Sequence, residues 1–208
     1  MRSALFSTLP FGPAAPRLLA RAFVALALCT GLGACLEAST PPVIDAERAR
    51  SRPNEVTVVE FIDYQCPFCR ALDRELSPVL QQYAGRVRVV RKQVPLHRHV
   101  HARDAAKVEV CAESAGRGQA MHAALMSAPD LSVHGLTDIA GRLSLDTDKL
   151  LLCMRSRAAE TRVEADEAQY QAAGGNGVPT VFIGSQRFEG VYSSDELRDA
   201  IETELRKR

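Results

Sequence analysis

The chain has 208 residues and a mass of 22.6 kDa, 46 % apolar and 25 % charged, which is enough to bury the core of one domain or two. Its formal charge is +1, from 26 basic and 25 acidic residues, and it contains no Trp. These values exclude a nucleic-acid binder that works by bulk positive charge or by stacking bases on aromatic platforms.

Residues 1–34 contain three arginines (Arg2, Arg17, Arg21) and no acid, and after Arg21 comes the apolar run AFVALALCTGLGA. That run is too short for a permanent membrane span, which needs about 20 residues. A basic start, a short apolar stretch and small residues before a break describe an export signal. The run ends Leu32-Gly33-Ala34-Cys35, which resembles the lipobox of bacterial lipoproteins. The resemblance implies cleavage before Cys35 and lipid on its sulfur, whereas an ordinary cleaved signal would leave Cys35 bare. Two acyl chains anchor stably where one does not. Residue 36 is Leu rather than Asp, so the best-known inner-membrane retention signal is missing. The expectation is a bacterial cell-envelope protein, facing the periplasm and held to a membrane through Cys35, with the outer membrane as one candidate.

Cleavage leaves 23 basic and 25 acidic residues, and four cysteines for the folded part: Cys66, Cys69, Cys111 and Cys153. Outside the cytoplasm disulfides persist. Residues 35–54 are small, charged and Pro-bearing, and read as anchor plus flexible linker.

From Glu55 onward the elements come in order. Val56–Ile62 (VTVVEFI) is apolar and β-branched, a buried strand. Pro67–Tyr83 carries Phe68, Leu72, Leu76, Val79, Leu80 and Tyr83 at helical spacing. Arg86–Val94 is the next strand, predicted parallel to the first because a helix crosses between them. Four helical segments follow, at His101–Gly116, Gly118–Ser127, Leu136–Leu143 and after an Asp146 N-cap. A further helix spans Ala158–Ala173. Strands are predicted at Pro179–Ile183 and Arg187–Gly190, and a capping box at Ser193 and Glu196 opens the last helix. The order is β-α-β, helical insert, α-β-β-α, an α/β chain with a mixed sheet.

The chemistry lies at Cys66-Pro67-Phe68-Cys69. A Cys-x-x-Cys is either half a zinc site or a redox pair. Zinc needs a second ligand pair, and Cys111 and Cys153 stand 42 residues apart within helical patterns. The run His97-Arg98-His99-Val100-His101 is read as a solvated loop edge, with weak metal binding as the alternative, and no metal is assigned. The redox reading has a positive argument. Pro67 suits a first helical turn, so Cys66 stands at a helix N-terminus. Free N–H groups and the helix dipole there favour a thiolate. Cys69 falls one turn deeper, placed to close a disulfide with Cys66 and shielded from solvent.

FIDYQCPFCRALDREL followed later by GVPTVFIG resembles the DsbA-like thioredoxin-fold proteins over about residues 55–205. The resemblance implies a thioredoxin fold (residues 55–96 and 159–208) interrupted by a helical domain (97–158). It implies that Pro179 is a cis-proline facing the cysteines, and that Val178 offers its backbone to an extended substrate. Pro67 and Phe68 complete the expected substrate-facing surface. It also implies that Glu60, the lone charge of its strand, lies beneath the disulfide and helps move the proton of Cys69; Lys92 or Arg91 is the candidate partner. The chain has Pro-Phe between its cysteines where the strongest oxidants of the family have Pro-His, so Cys66 is expected to be less acidic than theirs.

Cys111 and Cys153 are read as a structural bridge, with two buried thiols or a second redox relay as alternatives. The functional expectation is an extracytoplasmic thiol–disulfide oxidoreductase. It donates the Cys66–Cys69 disulfide to exported proteins with free thiols and is reoxidised by a quinone-linked membrane thiol oxidase. It is expected to work as a monomer with no cofactor and no nucleic-acid partner. The rivals are a reductase or isomerase of the same fold, and a lipoprotein that only binds partners.

Overall fold

The computed structural model describes residues 40–208. The expected signal segment and Cys35 lie outside the described residues. Four strands form one sheet in the order β2-β1-β3-β4: β1 (Val56–Ile62), β2 (Val87–Gln93), β3 (Thr180–Ile183) and β4 (Gln186–Glu189). β1 is parallel to β2 and antiparallel to β3, and β4 returns antiparallel to β3. All seven residues of β1 are buried, which explains why its sequence is nearly continuously apolar rather than alternating.

The two faces of β1 go to different cores. Val56 and Val58 pack with Leu72, Leu76 and Val79 of α2 (Pro67–Gln82; α1 is Pro42–Arg48) and with Leu197 and Ile201 of the C-terminal α8 (Ser194–Arg206). Val59 and Phe61 pack on the opposite face with Phe182, Ile44 and Tyr170. Burial of each such side chain contributes roughly 1.5–3 kcal/mol.

Tyr170 comes from α7 (Arg157–Ala172), and Ile44 from α1 (Pro42–Arg48). Residues 35–54, expected from the sequence to be anchor plus flexible linker, instead include a helix at residues 42–48 that docks on β1 and β2. Pro42 at its first turn starts it, and Ile44 is fully buried. Glu47 fastens it: one carboxylate oxygen lies 3.0 Å from Arg88 and the other 3.0 Å from Lys92.

Between β2 and β3 lie α3 (Ala102–Ser114), α4 (Gly118–Ser127), α5 (Val133–Arg142) and α6 (Thr147–Met154), followed by α7. Asp146 caps α6 through the N–H of Lys149, and Ser193 and Glu196 form a capping box on α8. Cys111 of α3 and Cys153 of α6 form a disulfide across the insert. The insert's core, with Met121, Leu125, Leu136 and Ile139, also takes in Ile62, Tyr64, Cys66 and Cys69 from the β1–α2 junction. Tyr64 is completely buried there. No helix among the described residues is long and apolar enough to cross a membrane.

Candidate active site

Cys66 is the N-cap residue of α2 in an extended backbone conformation, and Pro67 occupies the first turn. The pyrrolidine ring suits that position because no intrahelical bond needs its nitrogen. The N–H groups of Cys69 and Phe68 are left free to face the Cys66 sulfur. A hydrogen bond from the Cys69 thiol is the largest influence on Cys66. It and the two N–H groups outweigh burial and the opposing charge of Asp63, pulling Cys66 down to about 6. Cys69 is moved the opposite way. Burial first, and then its bond to Cys66, push its thiol far above the ordinary range, although the Asp63 N–H approaches its sulfur at 3.4 Å. One sulfur is therefore held as an anion at neutral pH while the other is held as a thiol.

Both cysteines are free thiols and both are enclosed: Cys66 is 2 % exposed and Cys69 1 %. Phe68 between them is 63 % exposed. The Val178–Pro179 peptide is cis, and Cys66 Sγ lies 3.6 Å from the Val178 carbonyl oxygen, which accepts from the sulfur when it is protonated. Residues 112 apart in sequence thus meet at the start of α2. β3 begins at Thr180, immediately after this contact.

Glu60 is 4 % exposed, and its register partner on β2 is Arg91. The Arg91 guanidinium approaches it at 3.9 Å, beyond hydrogen-bond distance, and Glu60 Oε1 has no hydrogen-bond partner. Lys92 is not the partner of Glu60. It is registered with Phe61, so strand alternation sends it to the other face, where it pairs with Glu47 at 3.0 Å and Asp166 at 3.7 Å.

Several residues of the site were not singled out in the sequence. Asp63, 2 % exposed, lies against both cysteines, and its negative charge opposes ionisation of each. Its Oδ1 accepts the N–H groups of Gln65 (2.7 Å) and Cys66 (3.1 Å). Its Oδ2 accepts the N–H of Leu96 and the Nδ1–H of His99, both at 2.8 Å. His99 therefore turns inward, whereas His97 is exposed, and no cluster of metal-ligating side chains occurs among the described residues. Arg70, one turn past Cys66, donates to the carbonyl oxygens of Tyr64 (2.7 Å) and Ala128 (2.7 Å). The Tyr64 hydroxyl meets His122 Nδ1 at 3.2 Å, and His122 Nε2 meets Asp73 at 3.0 Å. The available signal is an Asp just before the Cys, placed to close an Asx-turn onto the N–H of Gln65 two residues on; nothing local marks His99 or His122.

A low-pKa cysteine capping a helix, a protonated partner one turn deeper and the apposed carbonyl of the residue before a cis-proline together define a thiol–disulfide exchange site. The comparisons agree. Residues 51–203 match the family model Thioredoxin_4, described as thioredoxin, and the chain belongs to that family. Its solved neighbours are DsbA-like. A thioredoxin-like oxidoreductase from Silicibacter pomeroyi is 30 % identical with a TM-score of 0.67, covering 75 % of this chain and 90 % of that one. BdbD from Bacillus subtilis is 25 % identical with a TM-score of 0.66 over the same shares. Among curated proteins, the Na(+)/H(+) antiporter NhaA 3 of Salinispora tropica is 31 % identical over 163 residues, which are 76 % of this chain but 25 % of that protein. The chain thus spans about a quarter of the length of the curated relatives it matches. The protein is a DsbA-like member of the thioredoxin fold class.

Proposed function

We propose that this protein is an extracytoplasmic thiol–disulfide oxidoreductase that donates its Cys66–Cys69 disulfide to exported proteins. The observation that carries the reading is the opposite displacement of the two thiols, Cys66 down and Cys69 up. A substrate thiolate attacks Cys66 Sγ, the Cys66–Cys69 bond breaks, and Cys69 leaves and takes up a proton. A second substrate thiolate then attacks the substrate sulfur of the mixed disulfide, and Cys66 leaves as a stable thiolate. The substrate loses two electrons and the enzyme gains them. Release of a stabilised thiolate favours the donating direction. The Val178 carbonyl beside Cys66 supports docking of an extended segment by main-chain pairing, with Pro67 and exposed Phe68 as the adjoining surface.

The chemistry requires only the two sulfurs, and reoxidation falls to a thiol oxidase of the membrane, for which a quinone is the electron acceptor. The sequence resemblance of Leu32–Cys35 to a lipobox supports lipid attachment at Cys35. The test is equilibration with glutathione redox buffers and measurement of the fraction of dithiol. A potential well above the glutathione poise is expected; one at or below it would replace donation by reduction. Cys69→Ala in the cell envelope is expected to accumulate mixed disulfides with exported proteins.

A further inference from the structure

His99 stands outside the cysteine motif, 30 residues beyond Cys69 in sequence, yet it bonds Asp63, whose N–H approaches Cys69 Sγ at 3.4 Å and whose Oδ1 accepts the Cys66 N–H at 3.1 Å. A carboxylate can only accept here, because Oδ1 already takes two main-chain N–H groups and Oδ2 takes a third. The imidazole must therefore carry its hydrogen on Nδ1. Its side chain is 16 % exposed and the Asp63 side chain is fully buried, so the bond is shielded from water.

We propose that His99 is a positioning residue of the thiol–disulfide site: by donating to Asp63 Oδ2 it holds that carboxylate on the loop after β2 and restrains the negative charge Asp63 presents to Cys66 and Cys69. The inference rests on the exchange reading above. The four donors orient Asp63 so that one oxygen shapes the turn into Cys66 while the other ties down Leu96 and His99. Without the imidazole, Oδ2 keeps only the Leu96 N–H, and more of its charge acts on the sulfurs. Other charged and titratable groups lie around the pair. Cys66, Cys69 and Arg70 face Asp63 from α2. Tyr170 of α7 is within electrostatic reach of Cys69. On the same loop, the N–H of His101 donates to Gln65 Oε1 at 2.5 Å, and its ring acts on Asp130.

The test is a titration of the Cys66 thiolate by its far-ultraviolet absorbance in the reduced protein. His99→Phe is expected to raise the midpoint by about 0.5–1 pH unit, a three- to tenfold loss of thiolate well below the midpoint, the size of one weakened charge interaction in a partly shielded site. His99→Asn keeps a donor where Nδ1 stands and is expected to restore the wild-type midpoint. Asp63→Asn keeps the acceptor for Cys66 and Gln65 but loses the charge, and is expected to lower the midpoint. In that background His99→Phe should add nothing. An unmoved midpoint in His99→Phe, a shift of equal size in His99→Asn, or an equal effect of His99→Phe with and without Asp63→Asn would each overturn the proposal. Should His99→Phe not fold, the Asn variants still decide: a midpoint not lowered in Asp63→Asn removes its basis. A wild-type Cys66 that titrates as an ordinary thiol would instead refute the exchange reading itself.

Discussion

The thiol of Cys69 is the largest single influence on Cys66, and replacing it by Ala measures that influence directly. The variant loses one hydrogen bond to a charged sulfur and keeps the N–H groups of α2. A bond to a charged acceptor contributes about 1.5–3 kcal/mol, and about 1.4 kcal/mol is one pH unit. The Cys66 midpoint should therefore rise from about 6 to between roughly 7 and 8. At neutral pH the thiolate fraction then falls from about nine-tenths to between about one-half and one-tenth. The assay is thiolate absorbance against pH, aided by the absence of Trp, with the rate of alkylation as a second readout. Cys69→Ser retains an O–H donor and should stay close to wild type. If the Ala variant titrates at or below the wild-type midpoint, the helix N-terminus alone holds the anion and the argument from paired sulfurs fails. The wild-type value has a redox consequence. Relative to an ordinary thiol at 9.0, ionisation near 6 favours the reduced form about tenfold at neutral pH, or about 30 mV for two electrons.

Four further outcomes follow from the same structure. Phe68→His places an ionisable ring on the exposed motif position and should lower the Cys66 midpoint below wild type in the same titration, more so at pH values where the ring is charged. Burial pushes Glu47 up, but bonds to Lys92, Arg88 and Arg50 outweigh it and hold the carboxyl at about 2. Its folded value is depressed, so its stabilisation is complete above the unfolded value and disappears as pH falls through about 2; Glu47→Gln should flatten that acid limb in denaturant melts and cost about 3 kcal/mol at neutral pH. Glu109 is the reverse case: burial and then the charge of Glu113 raise it to about 7, so stability declines as pH climbs from the unfolded carboxyl value through 7. Glu109→Gln should remove that decline, with a gain of up to about 3 kcal/mol in mildly alkaline melts. Removing the Cys111–Cys153 bridge, whose partners are 42 residues apart, should lower unfolding free energy by about 4 kcal/mol.

What the sequence revealed, and what it hid, divides by the range of the interaction. β1 and α2 were legible because their apolar residues repeat at strand and helix periods within a few positions. The cap at Cys66-Pro67 and the boxes at Asp146 and Ser193 are equally local. α1 was misread as linker because only Val43 and Ile44 mark its apolar side. Its remaining anchor is a glutamate whose partners lie some 40 residues away on β2. The choice between Arg91 and Lys92 beside Glu60 turned on one residue of register between parallel strands, which composition cannot fix. Asp63 and His99, and Tyr64 and His122, are 36 and 58 residues apart, joined by the path of the insert rather than by any spacing pattern.

Tyr64 sits two residues before the reactive sulfur, yet its ring is embedded among the insert's helices and its hydroxyl ends on His122. Arg70 fastens the same turn to the end of α4. The insert is therefore the floor on which the redox centre stands. A shortened chain, trimmed to β1–α2–β2 joined directly to β3–β4–α8, would keep every strand of the sheet and still lose the foundation of its two sulfurs.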